Sequence, residues 1–153
     1  MTRSAEELLR SLLEAWDERP NDALALFADD GVYESPYLES LGLPWRYRGR
    51  TEVNELLHAH RSLFPRREFR DLVVVGGSAS SVVAEYRYTT RSSRTTRMVH
   101  QLIVGRLESV DGRITLLRES ANLVEWALAL YPRGLADYRV PFDRDNREFR
   151  AGS

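Results

Sequence analysis

"GRITLLRESANLVEW", residues 112–126, is the stretch on which the reading of this chain turns. It opens at an Asp111-Gly112 turn and runs on as a strand, in which successive side chains point to opposite faces. Ile114, Leu116 and Arg118 then share one face, and Thr115, Leu117, Glu119 and Ala121 the other. A glutamate on the face of Leu117 must reach water or be held by partners, because a lone carboxylate in apolar surroundings is costly. Alternation alone supports two readings of Glu119 equally. One is a strand-end charge that reaches solvent or pairs with an arginine; the other is a carboxylate placed for chemistry. Beyond the strand, "LVEWALALYP" turns helical before Pro132.

Upstream, "REFRDLVVVGGS", "SSVVAEYRYTTR" and "TTRMVHQLIVGRLES" supply three further strands, with Gly76-Gly77 marking a turn. The first third has a helical period instead. In "SAEELLRSLLEAWDER", Ser4 and Glu7 make a capping box, and Ala5, Leu8, Leu9, Leu12, Leu13 and Trp16 fall on one stripe that Pro20 ends. "NDALALFADD" predicts a short second helix capped by Asn21 or Asp22, and "GVYESPY" a strand stopped by Pro36. A loop with a short strand at its end follows. "TEVNELLHAHRSLFP" predicts a third helix, capped by Thr51, with Val53, Leu56, Leu57, His60 and Phe64 on one face. Helices first and an antiparallel meander after them make an α+β fold. The division expected is one domain over residues 1–132 and a polar tail over 133–153.

Composition narrows the function. The chain has 153 residues, enough for one domain with a real core, and 42% of them are hydrophobic. It contains no 18-residue apolar run and its start, "MTRSAEELLR", has no apolar signal core, so a cytoplasmic protein with no membrane partner is expected. The net charge of -1 supplies no field to draw in nucleic acid. There is no cysteine, and all 22 basic residues are arginine, so thiolate and lysine Schiff-base chemistry are both excluded. His58 and His60 diverge from a helix and cannot share an ion, and no other spacing suits a metal. No phosphate-binding glycine loop and no G-x-S-x-G elbow is present. Neither metal nor cofactor is therefore expected. "RYTTRSSRTTR", residues 87–97, reads as a solvated hairpin tip.

Among the remaining polar residues, His60 lies on the apolar stripe of its helix and His58 nearly opposite. His60 is either a hydrogen-bonded core histidine or a proton carrier projecting into a pocket. His100 could face either way. Tyr86 and Tyr88 share a face with Val82 and Ala84, so their hydroxyls need partners or line a pocket. Glu34, beside Tyr33 and Ser35, reads as an ordinary strand-end charge.

The order "ALFADDGVYESP", "YRGRTEVNELLHAHRSLFP" and "DGRITLLRES" resembles the nuclear transport factor 2-like superfamily over residues 5–132. That superfamily includes SnoaL-like polyketide cyclases, steroid isomerases, limonene epoxide hydrolases and the small phenazine-biosynthesis proteins. The resemblance implies a cone: a strongly curved antiparallel sheet wrapped around N-terminal helices, with an internal cavity. The base aspartate of the steroid isomerases falls at Ser35 and their oxyanion tyrosine at Ser11, departures from that branch. The Arg-x-Asp pair of the epoxide hydrolases falls on Tyr86 and Tyr88, while Glu119 keeps a carboxylate. The phenazine proteins match the length from "RG" to "FP" and the "RE" followed by an asparagine turn.

In those branches a carboxylate on the last strand serves as acid or base, so the resemblance implies that role for Glu119. Half-desolvated on the inner face, it would have its pKa raised toward neutrality. His60 would be a second proton carrier, and Tyr33, Ser35, Trp45, Tyr86, Tyr88 and Leu117 would line or cap the cavity. The reading is a cofactor-free isomerase, cyclase or condensing enzyme acting on a small hydrophobic cyclic metabolite. Its alternatives are a non-catalytic ligand-binding or protein-interaction module, and an epoxide hydrolase. An apolar outer sheet face carrying Leu102, Val104, Ile114 and Leu116 would make it a homodimer.

Overall fold

In the computed structural model, which describes residues 2–137, the helical and alternating parts of the chain separate into layers. The order is α1 (Ala5–Ala15), α2 (Pro20–Ala25), β1 (Phe27–Glu34), a 3-10 turn (Pro36–Leu41), β2 (Arg46–Arg48), α3 (Gly49–Leu63), β3 (Glu68–Gly77), β4 (Ser81–Arg91), β5 (Met98–Val110), β6 (Arg113–Ser120), α4 (Leu123–Leu130) and a last 3-10 turn (Gly134–Asp137). The six strands form one curved, open sheet in the order β2-β1-β6-β5-β4-β3. Strands β3 to β6 are the expected antiparallel meander, while β1 joins it parallel to β6, with Tyr33 opposite Leu117 and Glu34 opposite Arg118. This is the α+β cone.

The capping box of α1 forms as its sequence predicts, with the Ser4 N–H donating to Glu7 Oε2 at 2.7 Å. The stripe of α1 lies against β3, β4, β5 and β6, and Leu8, Leu9 and Leu12 are fully buried there. Burying each such side chain contributes roughly 1.5–3 kcal/mol. Asn122 caps α4, and the side-chain amide of Gln101 pins the turn before it by exchanging hydrogen bonds with the Asn122 backbone at 3.0 and 2.8 Å.

Four local expectations are corrected. Pro20 does not merely end α1; it begins α2, with Arg19 at the cap in place of Asn21 or Asp22. Proline suits that first position because its missing N–H has no partner in a helix start anyway. Helix α2 stops at Ala25, and "FADD" goes to β1. Helix α3 begins at Gly49 and not at Thr51, with the Arg48 N–H donating to Glu52 Oε2 at 2.6 Å. The 87–97 tip is docked rather than solvated: Ser92 Oγ and Thr95 Oγ1 donate to the Ala129 and Leu128 carbonyls at 2.6 and 2.9 Å, satisfying the end of α4.

A further correction concerns β6. Leu116 lies opposite Glu108 and Ile114 opposite Ser109, so Thr115 is an extra, bulged residue. The bulge reverses the alternation below it and sends Ile114 into the core, fully buried, instead of to the outer face. Above the bulge, Leu117 and Glu119 keep their inward direction. No helix among the described residues is long and apolar enough to cross a membrane. Of the polar tail, residues 138–153 lie outside the described part of the chain.

Candidate active site

Glu119 sits near the end of β6, opposite Gly105 of β5. Both its oxygens accept hydrogen bonds from phenols: Oε2 from the Tyr33 hydroxyl at 2.7 Å and Oε1 from the Tyr86 hydroxyl. Acceptance at both oxygens is the pattern an ionised carboxylate offers. Gly105 makes the second contact possible, because a Cβ there would stand 2.7 Å from the Tyr86 hydroxyl oxygen. Tyr33 and Tyr86 are buried, and burial first, then the Glu119 charge, pushes both phenols well above their ordinary pKa. Burial also raises Tyr88, against the opposing pull of Arg67. All three phenols therefore stay protonated, and Tyr33 and Tyr86 donate to Glu119.

His60 projects from α3 into the same space and is 7% exposed, while His58 faces water. The His60 ring lies 5.6 Å from Trp126, 6.2 Å from Tyr33 and 6.3 Å from Trp16, centroid to centroid. Its Nδ1 is 3.3 Å from Arg67 Nη1. A guanidinium has no acceptor, so Nδ1 accepts and the ring proton sits on Nε2. Burial, and then the Arg67 charge, holds the pKa of His60 well below the ordinary value, which leaves the ring neutral. His100 is exposed on the outer face, with Nδ1 at 3.3 Å from Thr89 Oγ1.

Arg67 is the residue sequence reasoning missed. Its side chain is 3% exposed and paired with Asp17, whose carboxylate also accepts the Arg67 backbone N–H at 2.8 Å. The guanidinium carbon stands 5.4 Å from the Trp16 ring centre, 5.5 Å from Phe69 and 5.8 Å from Tyr88. In sequence it is one arginine of "FPRREFR", and nothing there separates it from its neighbours. Trp16 had a signal, as the last member of the α1 stripe, but that signal points to core packing. Phe69 and Trp126 carried none for a site.

Together these groups wall a narrow cavity with about 10 Å³ of free volume, the room of a single water. Glu119, His60, Tyr33, Ser35 and Tyr88 all line it, and Tyr86 reaches it through Glu119. Leu117 and Trp45 do not. Leu117 is fully buried in the core beneath α1, because the cavity occupies only the Glu119 end of the strand. Trp45 packs against a second apolar cluster with Leu38, Leu41 and Phe64, and its carbonyl accepts the N–H of the cavity residue Ser35 at 2.7 Å. Arg67 and Phe69 also line an open outer cleft of about 570 Å³ between α1 and β3, so they form the partition between cleft and cavity. Among the described residues no cluster of three or more histidines and carboxylates could hold a metal. Among the described residues, two buried side-chain polar atoms, Trp16 Nε1 and Thr90 Oγ1, lack partners.

The sequence profile of the SnoaL-like domain matches residues 9–117. No protein of curated function matches the chain by sequence. Several solved structures share its fold. A phenazine biosynthesis-related protein from Pseudomonas aeruginosa is 18% identical, spans 94% of this chain and 97% of its own, and superposes with a TM-score of 0.66. A candidate polyketide cyclase from Pseudomonas putida is 18% identical over 86% of this chain and 99% of its own, with a TM-score of 0.70. An epoxide hydrolase from M. tuberculosis is 25% identical over 86% and 92%, with a TM-score of 0.59.

Proposed function

This chain belongs to the SnoaL-like domain family, and from that premise we propose that it is a small acid–base enzyme, independent of any cofactor, that isomerises, cyclises or condenses a hydrophobic cyclic compound. One observation carries the reading: a carboxylate held by two phenols, with no ion pair to it among the described residues, in a cavity walled by aromatic rings. Glu119 takes a proton from a carbon next to a carbonyl, and the C–H electron pair moves into a C=C bond as the carbonyl oxygen becomes an enolate. Return of that proton to a different carbon completes an isomerisation. Attack of the enolate carbon on a second carbonyl completes a ring closure or condensation, with the proton passing to the new alkoxide. A positioned base of this kind supplies roughly 10²–10⁴-fold. Tyr33 and Tyr86 fix the direction of the carboxylate. The polyketide cyclase and phenazine relatives support this reaction class.

The small free volume favours a second reading, a non-catalytic module, unless the Arg67–Phe69 partition moves aside. Epoxide opening, supported by the M. tuberculosis relative, is a third. Deuterium uptake from D2O next to the carbonyl of 2-tetralone, followed by NMR, separates them. The wild type is expected to accelerate exchange, and Glu119→Gln to lose about 100-fold or more with an unchanged circular dichroism spectrum. Equal exchange by both proteins would end the acid–base reading. We also infer a homodimer through the outer sheet face, where Leu102 and Val104 are exposed; sedimentation showing only monomer at micromolar concentration counts against it.

A further inference from the structure

The Glu119 cavity and the outer cleft share one wall, made by Arg67 and Phe69. Behind it there is room for about one water; in front of it the cleft offers about 570 Å³. Both residues lie between the end of α3 and the middle of β3, and the sheet holds this stretch from one side. Among the described residues β3 is the last strand, with β4 as its one neighbour. A bulge interrupts even that pairing. Arg70 lies opposite Arg87 and Val73 opposite Glu85, so Asp71 and Leu72 together face Tyr86. Asp71 turns there through a left-handed conformation, with φ at 55°, which residues other than glycine adopt seldom. At the opposite end of the stretch, Pro65 and Arg66 are exposed and outside any regular element.

What holds this stretch against the body is largely polar. Asp17, just beyond the end of α1, accepts the Arg67 backbone N–H at 2.8 Å and pairs with its guanidinium, and His60 Nδ1 accepts from Nη1 at 3.3 Å. We propose that residues 66–71 are a flap, hinged at the Asp71–Leu72 bulge and latched by Asp17, and that its opening joins the Glu119 cavity to the outer cleft and admits the ligand. The physics of a buried ion pair suits a latch. Deleting one partner is costly, because the other stays buried without compensation. When both reach water together, each recovers the hydration it lost on burial, and the net cost of parting them is small. Swinging Arg67 into the cleft does the latter, since Asp17 itself lines that cleft. The apolar stripe of α1 stays packed on the sheet, so the event is a local opening and not unfolding. The device goes beyond the acid–base reading, because a non-catalytic module with this cavity needs the same entrance.

The chain has no cysteine, so one introduced thiol is the only one present. Ser35→Cys puts it on the cavity wall. Thr90→Cys puts it in buried β4 away from the cavity, where the native hydroxyl has no partner to lose. Alkylation by iodoacetamide is followed for each, relative to the same thiol in urea-unfolded protein. In native buffer the Ser35→Cys thiol should react about tenfold or more faster than the Thr90→Cys thiol, and its rate should depend little on low urea, because a flap exposes little surface. Adding Asp17→Asn should speed the Ser35→Cys reaction by the whole factor by which it raises the global unfolding constant, since both events break the same pair. Adding Ile114→Val, in the core that stays packed, should speed Thr90→Cys but leave Ser35→Cys within about twofold. Should Ser35→Cys or Asp17→Asn not fold, hydrogen exchange on the unaltered chain decides: the Arg67 amide should exchange about tenfold or more faster than amides in the middle of β5. Equal labelling of the two thiols, a Ser35→Cys rate indifferent to Asp17→Asn, or an Arg67 amide that exchanges only with the middle of β5 overturns the flap. None of these measurements involves turnover, so the flap and the acid–base reading fail separately.

Discussion

Two carboxylates stand on adjacent strands within a few residues of each other in register, and their surroundings are opposite. Glu34, at the end of β1, is 5% exposed and held by Arg118 at 2.7 Å and Arg46 at 3.2 Å. Glu119, at the end of β6, is less deeply buried and is held by two neutral phenols. A paired cation compensates the charge of a carboxylate; a neutral phenol orients the carboxylate without adding a counter-charge. Depth of burial alone would have selected Glu34. The partners set the two apart, and the pleat explains the sorting, because neighbouring Arg118 and Glu119 leave β6 on opposite faces.

The same contrast runs through the cavity wall, where Arg67 and Asp17 are an ion pair that holds structure. The largest effect expected from a single change is there. Arg67→Ala leaves Asp17 buried without its cation and strips three rings of their neighbour, and should cost about 3–5 kcal/mol in urea unfolding. A loss below about 1 kcal/mol would mean that water replaces the guanidinium and the pair is not structural. Gly105→Ala sharpens the Glu119 side. Its Cβ would stand 2.7 Å from the Tyr86 hydroxyl oxygen, so Tyr86 must leave Glu119. Overpacking of this kind costs about 1–3 kcal/mol. The pH–rate profile of deuterium exchange should shift in the same direction as in Tyr86→Phe, an effect that a purely structural glycine would not produce.

His60 makes stability itself depend on pH. Its folded pKa is depressed, so the unfolded chain takes up a proton near pH 6.5 that the folded protein refuses. Stability is therefore fully present above about pH 6.5 and falls as the pH drops below it, by at most about 1.4 kcal/mol per unit, until the folded pKa is reached. Chemical denaturation between pH 7 and 5 measures the slope, and His60→Gln should flatten it. The smallest effect belongs to Glu34. Its two arginines are about half exposed and are rehydrated when the carboxylate is lost, so Glu34→Gln should cost about 1 kcal/mol and leave exchange within about twofold. A hundredfold loss of exchange in this variant, matching that of Glu119→Gln, would erase the distinction between the two carboxylates.

Much of this was legible beforehand because periodicity is a local property. The α1 stripe, the capping box at Ser4, the four-strand meander, the inward face of His60 and the inward face of Glu119 all follow from spacings of two or of three to four residues. The SnoaL-like family was legible in the order of those elements. What tertiary structure alone decided has a common physical cause: it depends on what the chain meets across long sequence separations. The bulge at Thr115 reverses Ile114 because of its pairing with β5, not because of any residue in β6. Leu117 and Trp45 bear the right chemistry, yet they pack into cores to either side of the cavity. Arg67 gains its meaning from Asp17, fifty residues away. Glu119 is held at both oxygens only because Tyr33 and Tyr86 arrive from 86 and 33 residues away, the latter over a glycine that leaves it room. Sequence alone placed the carboxylate on a face; its partners were decided by the fold.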